Sequence, residues 1–161
     1  MTLTATDGKP VHLSDLKALT VIYIYPMTSS PNGPAVDSWA EIPGAKGCTP
    51  QSCSFRDHFA ELKALGVAHL YGVSVQDTDY QREAAERLHL PFPLLSDENR
   101  QFQQALRLPV FEAGGMTLLK RLTLIASDGK IRHVFYPVFP PEKNADDVID
   151  WLKSAHSKAS G

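Results

Sequence analysis

Two cysteines, Cys48 and Cys53, stand five positions apart in the run Gly47-Cys48-Thr49-Pro50-Gln51-Ser52-Cys53-Ser54-Phe55-Arg56-Asp57, and the chain has no others. Pro50 belongs in the first turn of a helix, where its missing N–H leaves nothing unpaired, so Cys48 falls at or just before a helix start. Unpaired amide N–H groups and the helix dipole at that end favour a thiolate, the nucleophilic form of the side chain. Cys53 sits further in, where this effect has faded. Five helical residues leave the two Cα atoms ~8 to 9 Å apart, whereas a disulfide wants them at ~5.5 to 6 Å. The pair can therefore bond only if the first turn unwinds. A permanent disulfide would distort the helix at rest; a catalytic pair would react in one shape and bond in another. Gly44 and Gly47 flank the approach to Cys48, where they either supply the freedom a reorganising segment needs or simply turn a loop.

Other chemistry is weaker. Cys48, Cys53 and His58 recur at regular spacing, but successive steps of five residues rotate by about 140° on a helix, so the three side chains diverge. His58 reads as a surface residue and no metal is expected. His12, His69, His89, His133 and His156 are scattered, and Asp146-Asp147 reads as a solvated helix face. No glycine-rich phosphate loop is present, Gly114-Gly115 being more simply a turn. No cofactor is expected.

The elements that must hold the cysteines follow from pattern. With 161 residues, 43% of them hydrophobic and 21% charged, the chain reads as one globular domain spanning 1–161. A net charge of −2 provides no basic field for nucleic acid. No apolar run approaches a membrane span, Thr20 to Tyr25 being the longest. The first residues lack the basic and apolar regions of a secretory signal, so a reducing cytoplasm is the expected setting. Asp7-Gly8 predicts an opening hairpin between the segment around Leu3 and Val11-His12-Leu13. Thr20 to Tyr25 predicts a buried central strand.

Pro26, Pro31, Pro34 and Pro43, with glycines and serines between them, predict a long loop over 26–47, in which Trp39 and Ile42 pack down or anchor a partner. Phe55, Phe59 and Leu62 define one apolar face of a helix that runs to Gly66. Val67 to Val75 predicts a second buried strand, followed by a helix capped at Asp77 or Thr78 and running to about Leu88. Leu94-Leu95 predicts a short strand, and Asp97 to Leu106 a helix ended by Pro109. Leu118 to Ala126 and Ile131 to Tyr136 flank Asp128-Gly129 as a hairpin, and Glu142 to Lys153 predicts a terminal helix before a frayed tail. A reactive cysteine opening the helix after the first central strand suits an α/β thioredoxin-like fold, a central mixed sheet flanked by helices with an N-terminal β-hairpin.

Tyr23-Ile24-Tyr25-Pro26, Gly47-Cys48-Thr49-Pro50-Gln51-Ser52-Cys53 with Phe55-Arg56-Asp57, Gly72-Val73-Ser74, Phe92-Pro93-Leu94-Leu95-Ser96-Asp97 and Asp128-Gly129-Lys130-Ile131 resemble the peroxiredoxins. The resemblance is to the peroxiredoxin Q branch, also called bacterioferritin comigratory protein, and spans nearly the whole chain. It implies a thiol-dependent peroxidase with Cys48 as peroxidatic and Cys53 as resolving cysteine, joined during the cycle as an intramolecular disulfide. Arg121, in Lys120-Arg121-Leu122-Thr123, matches the arginine that the family places across the thiolate from a strand. Thioredoxin or a glutaredoxin-like protein is the implied reductant, hydrogen peroxide or an organic hydroperoxide the substrate, and a monomer the implied state.

The chain departs from the family at Glu41 and Ala45, where the pattern has a proline and a threonine or serine whose hydroxyl orients the peroxide. The loop before Cys48 is enlarged, and Thr28 is the candidate to supply that hydroxyl by folding back. Ser29, Ser30, Thr49 or a backbone N–H are the alternatives. Two other functions stay open. A thiol–disulfide oxidoreductase is weakened by the absence of a Cys-x-x-Cys spacing. A redox-sensing or binding module would take up a single equivalent of oxidant.

Overall fold

The protein is described here by a computed structural model covering residues 2–26, 48–113, 115–136, 138 and 141–159, with backbone alone at Ser14, Cys48, Thr49, Ala113, Met116 and 156–159. Three strands form the parallel heart of the sheet: β3 (Thr20–Ile24), β4 (His69–Ser74) and β5 (Leu94–Ser96). The opening hairpin of β1 (Leu3–Ala5) and β2 (Pro10–Val11) turns at Gly8, φ 84°, and β1 adds antiparallel to β5. On the other side β8 (Leu122–Ser127) lies antiparallel to β3, and β9 (Lys130–Phe135) completes a second hairpin through Asp128 and Gly129. The seven-stranded order is β2-β1-β5-β4-β3-β8-β9. A separate two-stranded ribbon joins β6 (Val110–Ala113) to β7 (Met116–Leu119). This is the expected mixed sheet with an N-terminal hairpin.

Every residue of β3 is buried, as a strand covered on both faces must be. Its alternation sends Val21 and Tyr23 into one apolar cluster, and Ile22 and Ile24 into another. The first cluster is closed by Phe55 of α1 (Cys48–Asp57), Leu62 of α2 (Phe59–Ala64) and Ala145, Val148, Ile149 and Leu152 of α5 (Asn144–Ala159). The second is closed by Phe102 of α4 (Gln101–Leu106), with Leu108 and Leu119. Between β4 and β5 runs α3 (Thr78–Arg87), capped by Asp77, whose side chain accepts from the Tyr80 N–H at 2.8 Å.

Three elements differ from the sequence pattern. The helix expected to run from Cys48 to Gly66 is broken at His58, φ −105° and ψ 10°, into α1 and α2. It does stop at Gly66, φ 100°. The α4 helix begins at Gln101 rather than Asp97, because the Asp97 carboxylate reaches forward to accept from the Phe102 and Gln103 N–H groups, both at 2.9 Å. The apolar run from Leu118 to Ala126 is two strands in two sheets, parted at Lys120-Arg121, where the Lys120 N–H bonds instead to the Pro109 carbonyl at 2.9 Å.

Candidate active site

The α1 helix begins at Cys48, where Pro50 placed it, and Cys53 stands half-buried with a free thiol in the same helix. Both cysteines thus lie in one helix, on the side of the sheet that carries α2 and α5. Tyr23 supports α1 from β3. Its ring stacks on Phe55 with centroids 4.7 Å apart and planes 8° from parallel, and its hydroxyl donates to Ser52 Oγ at 3.0 Å. The ring fits because its neighbour across β4 is Gly72: a Cβ there would stand 2.6 Å from Tyr23 Cζ and 2.7 Å from Leu94 Cδ2.

Arg121 is brought to this helix from the two-residue link between β7 and β8 rather than from a strand. It is only 4% exposed, and its Nη1 donates to Gln51 Oε1 at 2.6 Å. Gln51 lies three residues after Cys48, so the guanidinium is fastened to the turn that the cysteine opens. An arginine keeps its charge under burial and accepts this fixed geometry through its planar fork of donors. Gln51 holds the guanidinium without neutralising it.

Two residues that spacing and composition did not reveal complete the cluster. Gln51 Nε2 donates to Asn144 Oδ1 at 2.9 Å, and Thr123 Oγ1 donates to the same oxygen at 2.6 Å. All four side chains of this network, Arg121, Gln51, Asn144 and Thr123, are buried. Asn144 opens α5, a position where asparagine is common, but nothing local pairs it with a residue 93 positions earlier.

His58 is not merely at the surface. Its Nδ1 donates to the Ser54 carbonyl at 2.8 Å and its Nε2 faces the Asp146 carboxylate at 3.1 Å, tying the end of α1 to α5. Arg56 secures the same end, donating from Nη1 to the Leu88 carbonyl at 2.8 Å and from Nε to Asp57 at 3.0 Å. Among the described residues no three metal-ligating side chains gather. Thr28, Ser29, Ser30, Glu41, Gly44, Ala45, and Trp39 and Ile42, expected to pack down or to anchor a partner, lie outside the described residues.

A thioredoxin-like sheet that delivers a cysteine at a helix start and a buried guanidinium to the same turn belongs to the class of thiol redox proteins. The family model for Redoxin matches residues 1–149. Peroxiredoxin Q of Gentiana triflora, a chloroplastic protein by its name, is 32% identical over 156 residues, 96% of this chain and 64% of the relative. That of Sedum lineare is 32% identical over 155 residues, 95% of this chain and 74% of the relative. The chain thus spans just under two thirds of the Gentiana protein's length and about three quarters of the Sedum protein's. Peroxidoxin BcpB from Mycobacterium tuberculosis superposes with a TM-score of 0.75 at 23% identity, covering 96% of this chain and 92% of that one. Xanthomonas campestris peroxiredoxin Q gives 0.76 at 22% identity, covering 96% and 90%. These two structures share the fold. The chain belongs to the redoxin family, in its peroxiredoxin Q branch.

Proposed function

We propose that this chain is a thiol-dependent peroxidase that reduces hydrogen peroxide and organic hydroperoxides. The Cys48 thiolate attacks the terminal oxygen of the hydroperoxide, the O–O bond breaks, and the departing oxygen leaves as water or an alcohol. Cys48 is left as a sulfenic acid. Negative charge grows on the departing oxygen, and Arg121 and the amide N–H groups that open α1 are the donors suited to receive it. Cys53 then attacks the sulfenic acid, giving the intramolecular disulfide and water. Thioredoxin or a similar dithiol reduces that disulfide by exchange. The cycle calls for no metal and no bound cofactor. A reducing compartment such as the cytoplasm suits a cycle that must recover Cys53 as a thiol between turnovers.

The observation that carries this reading is the buried Arg121 guanidinium held on the Cys48 turn by Gln51. A structural disulfide has no use for it. The test is steady-state peroxide consumption with a thioredoxin system. The parent should destroy many equivalents per chain. Cys53→Ser should consume one and stop, and Cys48→Ser should consume none. Equal activity in both variants would defeat the assignment of roles, and consumption of a single equivalent by the parent would make the protein a sensor.

A further inference from the structure

Because both cysteines belong to one helix, the helix must open before they can bond: five helical residues hold the Cα atoms ~8 to 9 Å apart, beyond the ~5.5 to 6 Å of a disulfide. Gln51 lies between them, and whatever holds Gln51 resists the opening. Its amide has two ends that are not interchangeable. Nε2 meets an acceptor, Asn144 Oδ1, and this leaves Oε1 to receive Arg121 Nη1. Reversing the amide would set its NH2 against the guanidinium. The orientation of Asn144 is fixed in turn, because two donors, Gln51 Nε2 and Thr123 Oγ1, converge on its one oxygen. The arrangement is kept although Asn144 Nδ2 is buried with no hydrogen-bond partner among the described residues, which is unfavourable in itself. Asn144 is 1% exposed, and the helix it begins packs directly on α1.

We infer that Asn144 is a positioning residue which, through Gln51, keeps the first turn of α1 wound and thereby sets how fast Cys53 reaches oxidised Cys48. This rests on the peroxidase reading above. In the resolving step the Cys53 thiol displaces hydroxyl from the Cys48 sulfenic acid. The S–S bond forms as the S–O bond breaks, and the thiol proton leaves with the hydroxyl as water. While the turn stays wound, a second hydroperoxide can instead transfer an oxygen to the sulfenic acid, giving a sulfinic acid and water or an alcohol. The hydrogen bond to Asn144 therefore governs the division between a disulfide that is recycled and a sulfinate that is not.

The experiment uses the full chain and two variants. Asn144→Ala leaves Gln51 Nε2 and the Thr123 hydroxyl without an acceptor in the wound form, whereas water satisfies Gln51 once the turn opens. After one equivalent of hydrogen peroxide, disulfide formation should be roughly fivefold faster than in the parent. Oxidation of the thiolate should be no faster, and less sulfinate should accumulate in excess peroxide. Asn144→Asp keeps the accepting oxygen and should restore the parent's slower closure. Amide hydrogen exchange of the reduced protein gives a readout independent of activity: exchange at residues 51–53 should quicken in Asn144→Ala and return to the parent's rate in Asn144→Asp. Should Asn144→Ala fail to fold, Thr123→Val releases one of the two donors and should shift closure in the same direction. Closure and exchange at the parent's rate in Asn144→Ala or, where that fails to fold, in Thr123→Val, or no restoration by aspartate, would overturn the inference. A Cys53→Ser variant that yields no trappable sulfenic acid would instead defeat the peroxidase reading itself.

Discussion

At Arg121 a charged side chain has been taken almost wholly out of water, which is unfavourable unless hydrogen bonds or opposite charge compensate it. Gln51 supplies an acceptor on the Cys48 turn that holds the guanidinium there. Lysine would keep the charge and lose the fork of donors. Arg121→Lys should therefore slow oxidation of the Cys48 thiolate by roughly a hundredfold, measured by stopped flow with hydrogen peroxide. Gly72 makes a different demand, since any side chain there meets the Tyr23 ring. Gly72→Ala should lower stability by about 1 to 3 kcal/mol, read from the midpoint of urea unfolding. Of these residues, the cysteines were legible from type and spacing, and Arg121 from its setting in a familiar run. Asn144 and Thr123 were not, because a hydrogen bond between distant residues leaves no periodic trace in the chain.

Individual elements were legible where one pattern acted alone. The all-apolar β3 and the Asp77 cap of α3 lie where composition and capping chemistry put them. The break at His58 left no sign because the i to i−4 hydrogen bonds run on across it, from His58 N–H to the Ser54 carbonyl and from Leu62 N–H to the His58 carbonyl. The apolar spacing is thus scarcely disturbed. The division of β7 from β8 was visible only as two adjacent basic residues inside an apolar run. In α5 the acidic first turn suits the helix dipole, yet partial burial, and then Asp150 and Asp146, push the Asp147 carboxyl above its ordinary value, against the smaller opposing pull of Lys143. The folded protein therefore binds this proton more readily than the unfolded chain. The resulting stabilisation is full below the unfolded carboxylate value and is lost as pH rises through the higher folded one. Asp147→Asn should raise stability at neutral pH and flatten its dependence on pH between about pH 4 and 7, measured by denaturant unfolding across that range.

For the molecule as a whole, the order of elements was enough to anticipate a thioredoxin-like sheet, because parallel strands need helical crossovers while hairpins join antiparallel neighbours. The lateral order was less accessible. No property of β1 announces that it flanks β5, and no property of β8 that it lies beside β3. Two apolar clusters lie on opposite faces of the sheet, and among the described residues α1 joins the nearer one from Phe55 onward. Ahead of Phe55, the buried side chains described are Gln51, Ser52 and Ser54, all polar, and Pro50 is exposed. Among the described residues, these side chains would present an amide and hydroxyls rather than hydrocarbon if lifted. Exposure of these described side chains would in itself add little to the heat capacity of the protein and form no apolar patch.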